Sequence, residues 1–456
     1  MRRVLGFALA AVSASAELDL GNWMGQLGDV IGKASLLDLS LPGTHDSMTY
    51  DLSDTLAEHY EGMSPALSEL LHTLTPGVAG KFIRTQGQTQ GISVTDMLDG
   101  GIRFIDFRIM FTPGPDKVFG HEDWYCLHGC ESRLKAIQYL QQVKTWLEAH
   151  PKEVVVLWAS RHGNPETTGT DQYPGTTPAQ RQKFFGQVQD VFGGLLFNSS
   201  QRLNETSISS LQASNQRVIW FAADYAESTK SSPLAVDARS IDNQLLSSGR
   251  GVKAAEFMRQ GAAKLAASKA QDKFLLVSLA GGSSETAIES AAKIHFLPDV
   301  FGTHKKWTKE CAESGQVPNM TWCPKALMDW GLLSNYYNQR VLDLIYSAGG
   351  NADFPNAIYI DAVDLKGLIR TGTDKINPKA ALAGDSHGAE GYAYAATLVA
   401  ANVRRLCRSG CEAQLAMAEA ARNAHPLSLW EDPAHGRLQD WPSLASHAIE
   451  GQWFTV

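Results

Sequence analysis

The sequence predicts an α/β fold in which repeated strand–helix units form a parallel sheet, closed into an irregular or incomplete (β/α) barrel with a C-terminal helical appendage. Two observations support this. Apolar runs typical of buried parallel strands alternate with amphipathic stretches of helical period. The alternation recurs along most of the chain, which favours a closed barrel over an open sheet. Only six strands stand out, so we expect the barrel to be irregular.

The predicted elements follow one another in barrel order. The first strand is expected at 37–41, where apolar and polar residues alternate, and Pro42-Gly43 is expected to end it. Further strands are predicted at 102–111, 152–161, 217–223, 273–279 and 357–363, and helices at 92–99 (with Ser93 as N-cap), 132–149, 178–193, 251–268, 334–347, 392–401 and 411–424. The remaining stretches are expected as a leading helix or arm (17–34), helix and loop (51–90), a loop (112–131) and an irregular insertion (303–330).

The chain divides into three predicted parts. Residues 1–16 combine a basic start, a short apolar core and the small-residue pattern Ala14-Ser-Ala16, which together predict a secretory signal. The apolar run is too short to span a bilayer. Residues 17–390 are predicted to form the barrel domain, and 391–456 a helical extension packed on it. We therefore expect a secreted, extracellular protein.

The charge balance restricts the partners. The formal net charge is −8, and becomes −10 once the predicted signal, with two arginines and no acid, is removed. An acidic surface argues against nucleic acid and against an adhesive basic face for anionic membranes. A lipid substrate would have to be reached through apolar contacts or a local patch.

The six cysteines fall into three close pairs. In a secreted chain this favours three local disulfides, although other pairings are formally open. The predicted pairs are Cys126–Cys130, Cys311–Cys323 and Cys407–Cys411. Their spacings do not form the two-by-two ligand set of a zinc site. Sequons at Asn198, Asn204 and Asn319 predict a glycoprotein if the host glycosylates.

Titratable residues gather where the predicted strands end. His45 and Asp46 follow the first strand, and Asp361 lies on the last. Barrel closure places the last strand beside the first, so Asp361 is expected to meet His45. Asp364 is the alternative if the strand register shifts.

The second strand and the loop after it supply the other candidates. Asp106 and Arg108 share one face of the strand, Arg103 lies on the opposite face, and His128 follows in the loop. A charged pair on an apolar strand must be paired or functional, because burying either charge alone is costly. Two imidazoles with candidate carboxylates, and one guanidinium, suit phosphodiester cleavage by general acid–base catalysis.

Three segments of the chain resemble one known family. Leu41-Pro-Gly-Thr-His45-Asp46-Ser47 resembles the opening motif of the phosphatidylinositol-specific phospholipase C X-domain family. The segment 101–108 resembles its second strand, and Leu127-His128-Gly129 its second histidine motif. Weaker similarity extends to 132–160, 273–284 and 358–361. The resemblance covers scattered blocks of about 35–390 and implies an irregular TIM-type barrel.

The resemblance also implies roles for individual residues. His45, oriented by Asp361, would take the proton from the inositol 2-hydroxyl, and His128, assisted by Asp46, would protonate the diacylglycerol oxygen. Arg108 would stabilise the phosphorane charge. The substrate-binding candidates are Asp106, Ser160 and Arg161. The products would be diacylglycerol and a cyclic inositol phosphate.

Asp46 and Arg108 are similar to the metal-independent bacterial type, since calcium-dependent animal members carry Asn and an acidic residue there. The resemblance thus implies no cofactor, with calcium not expected. The expected partner is a phospholipid or phosphoinositol at a membrane surface, cleaved by a monomer.

Three other readings remain open. A metal-dependent phosphodiesterase of the glycerophosphodiesterase or sphingomyelinase D kind also uses two histidines. It would need two or three acidic metal ligands around the first motif, and an arginine at position 108 fits such a site poorly. A glycosidase with paired carboxylates suits this fold but would not need two histidines. A non-catalytic lipid- or sugar-binding module is the third. The head group also stays open: phosphatidylinositol, a glycosylated anchor or another phosphodiester.

Overall fold

The fold is seen in a computed structural model. The described residues are 17–57, 65–116, 118, 120–161, 176–222, 233–245, 263–268, 271, 273–281, 284–314, 323–324, 326–347, 355–363 and 393–424. The predicted signal, the sequon at Asn319 and Asp364 lie outside them.

Eleven strands are assigned in these ranges. They are β1 (Leu41–Thr44), β2 (Leu52–Leu56), β3 (Phe104–Thr112), β4 (Asp123–His128), β5 (Cys130–Lys135), β6 (Val155–Arg161), β7 (Val218–Ala222), β8 (Val236–Asp237), β9 (Ile241–Leu245), β10 (Phe274–Ser278) and β11 (Ala357–Ile360). The helices are α1 (Trp23–Gln26), α2 (Gly28–Ile31), α3 (Pro65–His72), α4 (Pro76–Gly87), α5 (Val94–Asp99), α6 (Ala136–Ala149), α7 (Pro178–Phe192), α8 (Ile208–Ala213), α9 (Glu285–Phe296), α10 (Thr303–Ser314), α11 (Leu327–Ser347), α12 (Ala393–Leu406) and α13 (Glu412–Ala424).

The central sheet is parallel, with strand order β8-β7-β6-β3-β1-β11-β10-β9. Its two edges are carried by consecutive stretches of chain, since only Ala238–Ser240 separates β8 from β9. Within the described residues these two strands are not paired to each other, so the barrel is curved but not closed by hydrogen bonds. The prediction of an irregular (β/α) barrel is confirmed.

The first strand differs from its prediction. Leu36–Asp38 forms a 3₁₀ turn, and β1 begins at Leu41 and includes the Pro42-Gly43 pair that was expected to end it. Gly43 is needed there because a Cβ would lie 2.9 Å from the Ile358 carbonyl and 3.1 Å from Phe104. Pairing with a strand on each side outweighs the local turn preference of Pro-Gly. The shift brings the strand directly up to His45.

Three insertions leave the barrel at the carboxyl ends of its strands. They are 52–87 after β1, the β4–β5 hairpin after β3, and 284–314 after β10. The first and third pack together, with Leu71, Phe82 and Ala291 in one apolar cluster. We call these three segments the insertion lobe. It contains elements that the sequence analysis missed. β2 lies in a stretch that was expected as helix and loop, the hairpin in one expected as loop and the start of a helix, and α10 in one expected as irregular.

The predicted disulfide between Cys126 and Cys130 is wrong, since neither cysteine forms a disulfide and both are buried. The hairpin pairs Cys130 with His128, while Cys126 donates its backbone N–H to the Ser132 hydroxyl 2.9 Å away. The two thiols therefore pack in different apolar clusters. Cys311–Cys323 and Cys407–Cys411 are disulfides, with Cα atoms 5.4 and 5.7 Å apart.

The other end of the barrel is covered by the leading residues and the C-terminal helices. Trp23 and Met24 of α1 are fully buried beneath the strands. Asn402 of α12 pairs with the backbone of Ser40, accepting its N–H and donating to its carbonyl, each at 2.8 Å. Among the described residues, no helix is both long and apolar enough to cross a membrane.

Candidate active site

The site begins where β1 ends. Thr44 is its last residue, His45 donates its backbone N–H to the Ile360 carbonyl at 3.1 Å, and Asp46 turns the chain with a left-handed φ of 44°. Asp is among the few non-glycine residues that adopt this conformation readily. Asp46 donates its N–H to Asp106 Oδ2 at 3.1 Å, and its side chain is fully buried.

His45 is held on one side by Tyr359 of β11 and on another by Asp361, which directly follows that strand. Its Nδ1 lies 2.7 Å from Asp361 Oδ1, and its ring stacks on Tyr359 with centroids 5.0 Å apart and planes 12° apart. Because an ionised carboxylate only accepts, Nδ1 carries the proton and Nε2 is left as the basic nitrogen. Tyr359 and Asp361 are two residues apart, so they present to the same face.

Arg108 lies at the centre of the charged cluster. Its Nη2 lies 2.7 Å from His45 Nε2, and its Nε lies 3.2 Å from Asp106 Oδ2 and contacts Asp46 Oδ1. The guanidinium is only 11% exposed, while both carboxylates are fully buried. Asp106 also accepts from the Ser160 hydroxyl at 2.5 Å. The cation thus holds two buried carboxylates and the imidazole in one group.

His128 is the last residue of β4 and lies at the tip of the hairpin. Its Nδ1 donates to the Gly87 carbonyl at 2.6 Å, so the exchangeable site is Nε2. Nε2 lies 3.5 Å from Asp46 Oδ2, and the same oxygen lies 3.4 Å from His45 Nε2. The two Nε2 atoms are therefore no more than 6.9 Å apart, the sum of those distances. Both rings reach solvent, with side chains 17% and 19% exposed.

The electrostatics of the site act mainly on His45. Burial lowers the pKa of the imidazole, but the carboxylates of Asp46 and Asp361 more than offset this, and the pKa is raised above its ordinary 6.5. Arg108 opposes the increase. Burial raises the pKa of the Asp361 carboxyl, although His45 counteracts it. Mutual stabilisation of this kind is typical of an acid–base pair.

The structure brings together most of the residues that were predicted from the sequence. His45, Asp46, Asp106, Arg108, His128 and Asp361 converge, and Ser160 touches Asp106. Ser160 thus contacts a carboxylate of the site. Arg161 ends β6, but its side chain lies outside the described residues. The catalytic and substrate-binding roles stay predictions.

Sequence reasoning missed the turn after α4. Gln90 is wholly buried, and its Nε2 donates to the carbonyls of both His45 and Ile360 at 2.9 Å. Thr89 donates its hydroxyl to the His45 carbonyl at 3.0 Å. The stretch Gly-Gln-Thr-Gln has no motif that would have marked it, because its contacts join strands far apart in sequence.

A divalent ion has candidate ligands here. One ligand atom from each of His45, Asp46 and Asp106 lies within 4.8 Å of the others. These same side chains surround the Arg108 guanidinium, which contacts all three. The cationic group already occupies the centre of that donor set, so the arrangement fits a metal poorly while Arg108 keeps this position.

Comparison with known proteins agrees with the resemblance. Residues 79–173 match the family model described as PI-PLC X 1. The matched stretch includes Arg108 and His128 and begins after His45.

Curated relatives have names from the same family. The chain is 31% identical over 205 residues to PI-PLC X domain-containing protein 1 of Mus musculus, which covers 44% of this chain and 52% of that protein. It is 31% identical over 189 residues to PI-PLC X domain-containing protein 3 of Danio rerio, covering 41% and 53%. The chain thus spans about half the length of these relatives.

Two solved structures show a distant likeness. A phosphatidylinositol-specific phospholipase C of S. aureus matches with a TM-score of 0.44 and 14% identity, over 80% of this chain and 97% of that one. The enzyme of Listeria monocytogenes matches with 0.43 and 16%, over 76% and 94%. At these TM-scores the similarity is too low to support a conclusion. Residues 79–173 thus match the PI-PLC X domain family model, and the curated relatives described above are named for the same domain.

Proposed function

We propose that the protein is a phosphodiesterase that cleaves phosphatidylinositol-type lipids, or glycosylated anchors of that type, by the concerted action of two histidines. The observation that carries the proposal is that Nε2 of His45 and Nε2 of His128 lie 3.4 and 3.5 Å from the same oxygen of Asp46, and that the Arg108 guanidinium contacts both His45 Nε2 and Asp46. A spacing of up to 6.9 Å accommodates a phosphate that contacts both rings.

His45 acts as the general base. Its Nδ1–H is held by Asp361, so Nε2 takes the proton of the inositol 2-hydroxyl as that oxygen attacks phosphorus. The negative charge of Asp361 stabilises the imidazolium that forms. Arg108, which donates to Nε2 in the present structure, moves to a phosphate oxygen once substrate takes its place.

His128 acts as the general acid. In its protonated form Nε2–H delivers a proton to the diacylglycerol oxygen as the bond from that oxygen to phosphorus breaks. The Gly87 carbonyl fixes the ring, and the Asp46 carboxylate lies 3.5 Å from Nε2. The products are diacylglycerol and a cyclic inositol phosphate, with one proton gained by His45 and one lost by His128.

Arg108 stabilises the charge that gathers on the non-bridging oxygens. A planar guanidinium donates two parallel hydrogen bonds to a phosphate and is held in place by two buried carboxylates. It supplies the positive charge that a divalent ion provides in metal-dependent enzymes. The proposed reaction therefore proceeds in EDTA.

The insertion lobe provides a surface suited to a lipid bilayer. Residues 297–302 connect α9 to α10, and Leu297, Val300 and Phe301 are exposed, Phe301 completely. We call this connecting loop, with its three exposed apolar side chains, the apolar tip. Lys305 and Lys306 follow it on the exposed side of α10, so apolar groups and positive charge lie together on an otherwise acidic chain. A projecting apolar loop flanked by lysines fits the interface of an anionic membrane.

The test is the release of cyclic inositol phosphate from phosphatidylinositol vesicles in excess EDTA. We expect turnover by the wild type, and a loss of about 10²-fold or more in both His45→Ala and His128→Ala. Activity that vanishes in EDTA and returns with a divalent ion would support the metal-dependent alternative. Full activity of either variant would remove that histidine from its role, and lipid binding without turnover would indicate a binding module.

Secretion, glycosylation and a monomeric state remain predictions from the sequence.

A further inference from the structure

Both histidines of the site are hydrogen-bonded to one short stretch of chain, the turn after α4: His128 through its ring and His45 through its backbone carbonyl. Gly87, the last residue of α4, accepts the Nδ1–H of His128 at 2.6 Å. Two residues later Thr89 donates its hydroxyl to the carbonyl of His45 at 3.0 Å, and Gln90 donates to the same carbonyl at 2.9 Å. Residues 87–90 thus link two groups that come from different parts of the sheet.

The same stretch also holds β11, which carries the partner of His45. Gln90 Nε2 donates its second proton to the Ile360 carbonyl at 2.9 Å, and its Oε1 accepts from Val363 N at 3.3 Å. The Thr89 carbonyl accepts from Ala362 N at 2.7 Å. Hydrogen bonds therefore flank Asp361 on both sides.

The stretch is itself rigidly supported. The Thr49 hydroxyl accepts the backbone N–H groups of Thr89 and Gln90 at 3.0 and 3.2 Å, and its oxygen lies 2.8 Å from the Thr89 hydroxyl. Gly87 is in such close contact that a Cβ would lie 2.1 Å from the His128 carbonyl oxygen. Thr89 and Gln90 are fully buried. A buried network with its donors and acceptors paired keeps one geometry.

We propose that residues 87–90 form a positioning bracket that sets the spacing of the two imidazoles and the contact between His45 and Asp361. None of these residues faces the phosphate in the proposed reaction. They act through the ring of His128 and through the backbone of His45 and Ile360. Four charged or titratable groups face the His45 ring. They are Asp46 from its own loop, Arg108 from β3, Tyr359 from β11, and Asp361 directly after β11.

The first test replaces Gln90 by Met, which has similar volume but no donors. The His45–Asp361 contact should loosen, so the pKa of the His45 ring should fall toward its ordinary value in an NMR titration. The NMR signal of the His45 ring is assigned as the one that is missing from the spectrum of the His45→Gln variant. Turnover should drop by about 10- to 100-fold with KM little changed, because the bracket does not contact substrate.

Asn402→Leu is the matched control. Asn402 is an equally buried amide that also makes two hydrogen bonds to the backbone. Its partner is Ser40, the residue before β1, which lies away from the histidines. It should lose stability without moving the His45 titration or the turnover number. An equal effect of both variants would show ordinary destabilisation and overturn the bracket.

Thr89 supplies a second pair of variants in case Gln90→Met fails to fold. Thr89→Ser keeps the hydroxyl and should behave as wild type, whereas Thr89→Val should lower turnover several-fold and shift the His45 titration in the same direction. An unchanged titration and turnover in Thr89→Val and Gln90→Met would refute the proposal. The catalytic readout rests on the proposed function, but the titration does not: a wild type without phosphodiesterase activity would leave the titration arm to decide.

Discussion

Two arginines five residues apart illustrate how the two ends of the barrel differ. Arg103 precedes β3 at the lower end, and Arg108 lies in the middle of that strand, where its parallel pairing with β6 ends at the upper end of the barrel. Both are buried beside a carboxylate. What differs is the chemistry of their hydrogen bonds.

Every nitrogen of Arg103 donates to a fixed acceptor. Nε and Nη2 donate to Glu153 at 3.0 and 2.7 Å. The other donors reach main-chain carbonyls, namely those of Leu98, Ile102, Leu20 and Gly21. The rings of Trp23 and Trp146 lie over the guanidinium at 5.7 and 4.8 Å. All the nitrogens of the Arg103 guanidinium are therefore hydrogen-bonded within the protein, and the group is inaccessible to solvent.

Arg108 instead contacts titratable groups that other molecules could replace. Its Nη2 donates to the basic nitrogen of His45, and the group is 11% exposed. The comparison teaches that burial and ion pairing do not identify a functional charge. A partner that changes protonation, at a position open to solvent, does.

The largest expected effect is on stability at the lower end. Arg103→Met leaves Glu153 buried without its cation and strips donors from four carbonyls, so the free energy of unfolding should fall by about 3–5 kcal/mol. Urea denaturation measures it. Arg103→Met/Glu153→Met should recover much of the loss, since no lone charge remains. A single variant as stable as wild type would contradict the assignment of Arg103 to the fold.

At the upper end the corresponding change should act on catalysis. Arg108→Met should lower turnover by about 10²–10³, because the charge on the phosphate oxygens is no longer compensated. Its loss of stability should be smaller than that of Arg103→Met, since solvent reaches the site. Arg108→Lys keeps the charge without the planar fork and should be intermediate. Near-normal turnover in the Met variant would end the proposed role.

The pH dependence separates the two ends further. Catalysis needs neutral His45, and the pKa of this ring is raised above 6.5, so activity should rise with pH through a pKa above that value. Asp361→Asn removes one of the two carboxylates that raise it, so the acid limb of kcat/KM should move to lower pH, by roughly one unit or less. Glu153→Gln, at the lower end, should leave the profile in place. A shift to higher pH would contradict the assignment of His45 as the base.

The smallest effect concerns the lobe above the site. Phe301→Ser should weaken binding to vesicles containing anionic lipid by about five- to tenfold, with unfolding unchanged, because the side chain is fully exposed. Phe301→Trp should keep the affinity. Sedimentation with vesicles measures it. Equal binding by the Ser variant would remove the apolar tip from the membrane contact.

Much of the site was predictable because its chemistry lies in local motifs. His45-Asp46, Asp106 with Arg108, and His128 are each marked by their neighbours. Asp361 followed from the rule that parallel strands end on one face. Register was less predictable: β1 begins four residues later than expected, since Pro42 and Gly43 are accommodated only between two specific strands.

The sequence alone determined the alternation of strands and helices, and the set of ionisable groups at the strand ends. Periodicity and residue type are local properties, so they can be read along the chain. Tertiary structure decided that Cys126 and Cys130 stay apart, that Asp46 lies between both imidazoles, and that Gln90 joins β1 to β11. Each of these depends on which strands become neighbours, and the free energy of that pairing comes from contacts between residues far apart in the chain.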